Sequence, residues 1–175
     1  MTNNDKEQKE AAKGDRMTAG MPECFRNPQF IFDVLTSIYY LCETDAKKTQ
    51  QAVYDLLAYL RSSLLCSSAG ESVALALEME QVRSYLSLQQ MRFGGQWTVR
   101  WEDNRKVRVP PFSVMQFVSL ILEDGLKRCE DDATVLVNVE MPAQSSIVRV
   151  SCAGEGLRKA ERLIPCVFPV LDNPK

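Results

Sequence analysis

The spacing of apolar residues changes at the Gly94-Gly95 pair in the middle of the chain. Before this pair, apolar residues recur every three or four positions, which is the period of amphipathic helices. After it, residues 96–102 alternate between polar and apolar, which is the period of a strand. Glycine commonly ends a helix because it adopts left-handed backbone angles without strain. A helical part followed by a part that contains strands is therefore predicted.

Three helices are predicted before the glycine pair. The first covers residues 28–42 and starts with a proline, which suits a first helical turn. Thr44 or Asp45 can cap a second helix, which ends in the Ser/Gly-rich stretch 66–70. A third helix starts at Ser72, although its first residues alternate almost like a strand. The first two helices are expected to form a hairpin.

Strands and helices are both predicted after the glycine pair. Pro110-Pro111 ends a strand, because proline cannot continue a central strand. The predicted elements are strands at 96–102 and 107–109, a helix over 112–128, strands at 134–140 and 146–152, and a short helix over 156–163. This order predicts an α+β fold, with a helical hairpin over 22–70 and, over 71–175, a sandwich that has helices on one face of a mixed sheet.

The composition is that of a globular protein, with 45% hydrophobic and 25% charged residues. A formal net charge of -2 argues against a basic face for nucleic acid. No apolar run reaches the roughly 20 residues that span a bilayer, and the polar residues 1–21 lack the apolar centre of a signal peptide. We therefore expect a cytoplasmic protein without nucleic acid partners or membrane insertion, in which residues 1–21 form a disordered leader.

The six cysteines are scattered, and the chain contains no histidine. No two cysteines form a C-x-x-C pair, so the spacing typical of zinc sites and of disulfide frameworks is missing. We expect no metal site, and reduced thiols at Cys24, Cys42, Cys66, Cys129, Cys152 and Cys166.

Two long motifs and a proline pair resemble a known family. Residues 27–35 are N-P-Q-F-I-F-D-V-L, residues 78–94 are E-M-E-Q-V-R-S-Y-L-S-L-Q-Q-M-R-F-G, and Pro110-Pro111 follows. These segments are similar, in the same order, to N-P-H-F-L-F-N-x-L, E-x-E-x-V-x-x-Y-L-x-I-x-x-x-R-F-G and the P-P pair of the LytS-like sensor histidine kinases. The resemblance covers about residues 26–164.

The resemblance implies a dimer of helical hairpins joined to an ATP-binding domain of the GHKL type, also called the Bergerat fold. In the family, that domain uses ATP and magnesium to phosphorylate a histidine of the hairpin, and the phosphoryl group then passes to a response regulator. Gln29 stands at the position of this histidine. A glutamine nitrogen is not a nucleophile because its lone pair is delocalised into the carbonyl, whereas a neutral imidazole has a free lone pair. The phosphoacceptor position has therefore lost its chemistry.

The resemblance also implies an altered ATP site. The family's helix carries Q-P-L-V-E-N-A-x-x-H-G, and a count without gaps starts from Pro111. It sets four residues of this chain at the family's glutamate, asparagine, histidine and glycine, namely Ser119, Leu120, Asp124 and Gly125. Leucine cannot hold magnesium as the asparagine does, and serine cannot act as the general base in place of the glutamate.

Two placements in this region have alternatives. Residues 123–125 can stand at the family's E-N-A if four extra residues precede them, and we prefer the gapless count. The family's D-x-G-x-G matches residues 152–156 without its aspartate, which accepts from the adenine amino group. A second alignment sets residues 154–158 on the later G-x-G-L-R loop and deletes the lid between the motifs. In either case we predict that Gly154 and Gly156 form a simple turn instead of a phosphate cradle.

Four charged residues have both a functional and a structural interpretation. Asp33 could accept a phosphoryl group, but it lacks the acidic cluster that would hold magnesium, so a solvated helix position is predicted. Glu78, Glu80 and Arg92 are predicted to form a wet helix face and an interdomain ion pair.

The helical hairpin has more apolar surface than its two helices can hide from each other. The excess must meet the ATP-like domain or a second chain. We predict a dimer interface formed by Phe30, Leu35, Ile38, Leu57 and Leu60. The partner is predicted to be a second copy or an active histidine kinase, with a response regulator as a further candidate.

We therefore predict a degenerate histidine kinase homologue of two-component signal transduction, which acts by protein contact and uses neither ATP nor magnesium as a cofactor. One alternative is an active kinase that phosphorylates a partner in trans. It requires other residues to replace Leu120 and the missing aspartate. A second alternative is a sensor that binds nucleotide without turnover.

Overall fold

The computed structural model describes residues 28–94, 96–101, 107–126, 134–140, 147–154 and 157–166. The predicted leader at 1–21 lies outside these ranges, as do the first residues of the predicted hairpin and residues 167–175. In the described part, four helices and a four-stranded mixed sheet form an α+β fold, as the sequence predicts.

The helical part consists of α1 (Pro28–Thr44), α2 (Ala46–Ser68) and α3 (Leu75–Phe93). Asp45 separates the first two helices and caps α2, because its side chain accepts a hydrogen bond from the Lys48 backbone N–H at 3.0 Å. α3 ends at Gly94, whose φ of 73° lies in the left-handed region that suits glycine. The predicted helices over 28–42 and up to the Ser/Gly stretch are confirmed.

Two short strands join the helical part to the remaining chain. β1 (Val73–Ala74) pairs antiparallel with β3 (Arg108–Val109), and the Leu75 backbone N–H donates to the Val107 carbonyl at 2.9 Å. The strand-like alternation before the third helix therefore marks a real strand. α3 begins at Leu75, after the predicted start at Ser72.

The main sheet has the strand order β2-β4-β5-β6. Its strands are β2 (Gln96–Trp101), β4 (Thr134–Glu140), β5 (Ile147–Gly154) and β6 (Leu157–Pro165). β2 and β4 run parallel, whereas β4 with β5 and β5 with β6 run antiparallel. The helix α4 (Ser113–Leu126) follows β3 in the chain and packs on β5, β6 and α3.

One face of the sheet is buried. The fully buried side chains of β4 and β5 are spaced two apart and are Val135, Val137, Val139, Val148, Val150 and Cys152. Successive residues of a strand point to opposite faces, so these side chains share the face that meets α4. The other face carries exposed residues such as Ile147 and the ion-paired Arg149 and Glu161.

The short helix predicted over 156–163 is wrong, because these residues belong largely to β6. The apolar positions 157, 163 and 164 fit either period, so the sequence pattern is ambiguous. β5 decides the outcome, since its free edge offers backbone partners to the segment that follows it. Ile164 lies opposite Val148 and is buried, which a strand in this register allows.

The helical core is built around three aromatic rings, one from each helix. Phe30 of α1 meets Tyr59 of α2 at 5.3 Å between ring centroids and Tyr85 of α3 at 4.9 Å. α3 packs on α2 more extensively than α1 does. The predicted hairpin is therefore part of a three-helix cluster, and the domain boundary between residues 70 and 71 stays a prediction.

Candidate functional site

Gln29, which the resemblance predicts at the position of the family's phosphoacceptor, lies in the first turn of α1 and is exposed. Its side-chain amide Nε2 donates a hydrogen bond to Asp33 Oδ1 at 2.6 Å, one helical turn further on. This bond holds the amide against the helix surface. The position therefore presents a hydrogen-bonded amide where phosphotransfer requires a nucleophilic nitrogen.

Asp33 also binds a second helix. Its other carboxylate oxygen, Oδ2, lies 2.6 Å from Nη2 of Arg92 in the last turn of α3. The Arg92 side chain is 16% exposed and that of Asp33 is 35% exposed. The predicted interdomain ion pair of Arg92 thus has a partner, and Asp33 is a half-buried ion-pair residue instead of a simply solvated one.

The contacts of Arg92 continue along α3. Its Nη1 donates to Gln89 Oε1 at 2.9 Å, and Gln89 Nε2 donates to the Tyr85 hydroxyl at 2.9 Å. The guanidinium carbon of Arg92 lies 6.0 Å from the Phe30 ring centroid and 4.9 Å from that of Phe93. A guanidinium over an aromatic face is favourable electrostatically.

Glu78 of α3 is fully buried, and its carboxylate lies at the start of α4. It accepts hydrogen bonds from the backbone N–H groups of Ser113 at 3.1 Å, Val114 at 2.8 Å and Met115 at 3.3 Å. α4 follows Phe112, whose side chain cannot cap a helix and whose φ of 63° lies in the left-handed region. Glu78 of α3 therefore supplies the acceptor that the first turn of α4 lacks.

The environment of Glu78 changes its acidity. Burial raises the pKa of the Glu78 carboxyl to about 7, while the hydrogen bonds from the α4 backbone act in the opposite direction. Cys66 of α2 lies close enough to be affected, since burial and then the Glu78 charge raise the pKa of its thiol to about 12. α2, α3 and the start of α4 thus meet at one buried carboxyl group.

The stability of the protein is expected to fall as the pH rises from about 4.5 to about 7. The unfolded chain ionises Glu78 near its ordinary pKa of 4.5, whereas the folded chain keeps this proton up to about pH 7. As the pH rises, ionisation of Glu78 therefore stabilises the unfolded state relative to the folded state, by about 3 kcal/mol over this window. Urea unfolding across the window measures the effect, with Glu78→Gln as the reference that lacks the titrating group. An identical pH dependence in the wild type and in Glu78→Gln would contradict this assignment.

The prediction that Glu78 belongs to a wet helix face is wrong, because its side chain is completely buried. Glu80 of the same motif is exposed, as predicted. One signal was available in the sequence: Glu78 lies four positions before the apolar Val82 and seven before Tyr85, on the buried side of α3. A helix that starts after Pro-Pro-Phe without a capping side chain is a second signal.

The residues that the resemblance predicts at the family's magnesium and base positions lie on α4. Leu120 is 65% exposed and offers no ligand atom. Ser119 is half-buried, and its hydroxyl donates to the Gln116 carbonyl at 3.2 Å. Asp124 and Gly125 lie in the last turn of α4, where their side-chain surroundings fall outside the described residues.

The glycine motif lies at the junction of two strands. Gly154 ends β5 and pairs with Leu157, while Gly156 lies outside the described residues. The segment after the motif is β6, so Gly154 does not precede a helix start of the kind that binds phosphate. Cys152, which one motif alignment sets at the position of the adenine-binding aspartate, is buried, and burial raises the pKa of its thiol to about 12. It therefore cannot replace the carboxylate.

A groove of about 760 Å³ lies between α2 and α3. Residues that line it include Leu57, Arg61, Leu65, Leu77 and Glu80. None of the described residues that line the groove is one that the resemblance assigns to the family's ATP site. The groove is therefore not the equivalent of that site.

The five residues predicted for a dimer interface divide into two groups. Phe30 and Ile38 are buried in the chain's own core, so they have little surface to give to a second chain. Leu60 is half-buried against the same core. Leu35 and Leu57 are 47% and 62% exposed and are free to meet a partner.

The part of the chain that holds Gln29, Asp33, Glu78 and Arg92 matches known proteins. Residues 26–97 match the family model for histidine kinases. The chain is 31% identical over 134 residues to the sensor protein LytS of Bacillus subtilis (strain 168), an alignment that covers 75% of this chain and 22% of the relative. It is 27% identical over 141 residues to the sensor protein LytS of Enterococcus faecalis, covering 79% and 24%. The chain is a member of the LytS-like histidine kinase family.

The family match covers α1, α2 and α3 and ends inside β2. This LytS-like homologue spans less than a quarter of the length of the two relatives. Among the described residues, no helix combines the length and the apolar character needed to cross a membrane.

Proposed function

We propose that this chain is a non-catalytic member of its family, which takes part in two-component signalling through protein contacts instead of phosphotransfer. The observation that carries the proposal is Gln29. It lies inside the segment that matches the histidine kinase model, its motif aligns it with the family's phosphoacceptor, and its amide is bound to Asp33. An amide nitrogen cannot attack a γ-phosphate, and the chain has no histidine to replace it.

The described part of the ATP-like region supports the same conclusion. Leu120, which the motif alignment sets at the magnesium position, is exposed, and Cys152, which it sets at the adenine position, is buried. Neither side chain can make the polar contact that the family needs there. We therefore infer that ATP and magnesium are not cofactors of this chain.

The contact surface that we propose is an apolar stripe on each of α1 and α2. On α1 the stripe contains Phe32, Leu35 and Tyr39, and on α2 it contains Val53, Leu57, Leu60 and Leu64. All of these side chains except half-buried Leu60 are more than 40% exposed. Their spacing alternates between three and four residues, which is the spacing of helices that pack side by side in coiled coils and bundles.

We infer that a second copy of the chain covers these stripes. A twofold interface is self-complementary, so two hairpins that carry the same pair of stripes can close into a four-helix arrangement. A hairpin of an active histidine kinase offers the same kind of surface and is the alternative partner. Size exclusion with light scattering separates the two, since a wild-type monomer at high concentration leaves only the heteromeric form.

The catalytic part of the proposal is tested with labelled ATP and magnesium. The wild-type chain is expected to take up no acid-labile, base-stable label, because it has no histidine to form a phosphoramidate. Gln29→His is also expected to stay unlabelled, since a nucleophile without a positioned γ-phosphate does not react. An active histidine kinase serves as the positive control. Label on Gln29→His would show that the ATP site is intact.

Nucleotide binding provides a second test of the same proposal. Calorimetry with ATP and magnesium is expected to show no binding in the micromolar range, because the magnesium and adenine contacts are lost. A tight isotherm without turnover would favour the nucleotide sensor instead, and a tight isotherm with phosphorylation of a partner would favour the active kinase.

A further inference from the structure

Position 29 is one end of an unbroken chain of side-chain hydrogen bonds that crosses from α1 to α3. The chain runs from Gln29 to Asp33, from Asp33 to Arg92, from Arg92 to Gln89 and from Gln89 to Tyr85. Its four donor to acceptor distances are 2.6, 2.6, 2.9 and 2.9 Å. Gln29 and Asp33 of α1 belong to the N-P-Q-F-I-F-D-V-L motif. Tyr85, Gln89 and Arg92 belong to α3.

The central ion pair is in a position to hold the two helices together. Asp33 and Arg92 are 59 residues apart in sequence, so their bond constrains tertiary structure and not merely one helix. Arg92 is largely removed from water and lies over two aromatic rings. A charged hydrogen bond is stronger when it is partly removed from solvent, and a cation in the last turn of a helix also suits the helix dipole.

The buried end of the chain is anchored in the helical core. Tyr85 and Gln89 are both almost completely buried, and the Tyr85 ring packs on Phe30. The exposed end is Gln29. The network therefore connects Gln29, at the surface of α1, to the core of the three-helix cluster.

We propose that this chain of five side chains is a latch that fixes the orientation of α1 on α3. In this homologue, Gln29 is the outer end of the latch instead of a site of phosphotransfer. The latch fixes α1 in one orientation, in which the stripe of Phe32, Leu35 and Tyr39 faces outwards. This last consequence rests on the proposed function, whereas the latch itself does not.

A double-mutant cycle tests the latch. Asp33→Asn, Arg92→Gln and the double variant are unfolded in urea, and the coupling between the two positions is calculated from the unfolding constants. We expect a coupling of about tenfold, because the pair is partly desolvated and hydrogen-bonded. The matched control is Arg149 with Glu161, an ion pair at 3.0 Å whose side chains are 46% and 48% exposed. Changing both to glutamine in the same way should give a coupling of about twofold.

Hydrogen exchange in single variants gives a second readout, which remains valid if the double variant does not fold. Gln29→Ala removes only the outer donor, and Asp33→Asn weakens the ion pair without changing the shape of the side chain. In folded Asp33→Asn, amides of α1 should exchange about tenfold faster while those of β4 and β5 are unchanged. Gln29→Ala should produce a smaller change in the same helix.

The latch is rejected if the Asp33 and Arg92 coupling is no larger than that of the control pair, or if exchange increases equally in all elements. The dissociation constant of the dimer is measured in the same samples. If the latch presents the α1 stripe, Asp33→Asn should raise this constant about tenfold. A wild-type monomer would overturn the proposed homodimer but leave the cycle measurable. The two ideas therefore fail separately.

Discussion

Replacing Glu78 with alanine is expected to lower the free energy of unfolding by about 3 kcal/mol, through loss of the acceptor for the first turn of α4. Three backbone N–H groups donate to this carboxylate. The Ser113 N–H also has the Pro110 carbonyl at 3.2 Å, whereas the N–H groups of the buried Val114 and Met115 lose this acceptor. The removed side chain also leaves a cavity between α3 and α4. The unfavourable burial of the charge offsets part of this loss at neutral pH, so the loss should be larger at low pH, where the carboxyl is protonated.

Glu80→Ala is the matched control for this prediction. It makes the same substitution on the same helix, two residues away, at an exposed position. We expect it to change stability by less than about 0.5 kcal/mol. Urea unfolding followed by circular dichroism measures both variants. Equal stability of Glu78→Ala and Glu80→Ala would show that Glu78 does not cap α4.

Replacing Leu57 with glutamate is expected to weaken self-association by at least about a hundredfold, because an unpaired charge in an apolar seam costs several kcal/mol. A twofold interface places the new charge on both copies. Leu57 is 62% exposed in the chain, so the folded monomer should survive the change. Leu60→Glu should instead destabilise the fold, since Leu60 packs against the core.

The control for Leu57→Glu is Leu163→Glu on β6. Leu163 is 55% exposed, so the two substitutions add the same charge at positions of similar exposure. Light scattering after size exclusion should show monomers for Leu57→Glu and an unchanged mass for Leu163→Glu. If both variants keep the wild-type mass, α2 does not carry the interface.

The local pattern of the sequence predicted the helices α1 to α4 and the strands β2 to β5, although α3 starts at Leu75 and not at Ser72. Helix ends follow from Asp45, from the Ser/Gly stretch and from Gly94, because caps and left-handed positions favour particular residue types. The alternation before Leu75 also carried real information, since β1 lies there. The strands β4 and β5 were predicted at 134–140 and 146–152 from the same kind of local pattern.

The segment after Gly154 shows where local pattern is insufficient. Residues 157–165 have spacing that fits a short helix, yet they pair with β5 along its edge. Backbone groups of β5 need partners, and the nearest free segment in the chain provides them. Such pairing depends on long-range contacts, which propensity does not encode.

The assignment of the apolar hairpin surface also required the tertiary structure. Phe30, Leu35, Ile38, Leu57 and Leu60 all look alike in the sequence, because each belongs to an apolar stripe. The third helix decides which of them remain available, since Tyr85 of α3 packs against Phe30. Of the five, Leu35 and Leu57 keep the most exposed surface for a partner.

The sequence by itself determined that the chain contains no histidine and that Gln29, which the resemblance sets at the phosphoacceptor position, cannot act as a nucleophile, because this follows from side-chain chemistry alone. Only the tertiary structure decided the roles of Glu78 and Arg92. Both are charged residues of one helical motif, and both were predicted to lie on wet or interdomain surfaces. Glu78 is buried because the start of α4 brings backbone donors to it, and Arg92 is held because α1 brings Asp33 to it. Partners this distant in sequence fix the position of a charge only after the chain has folded.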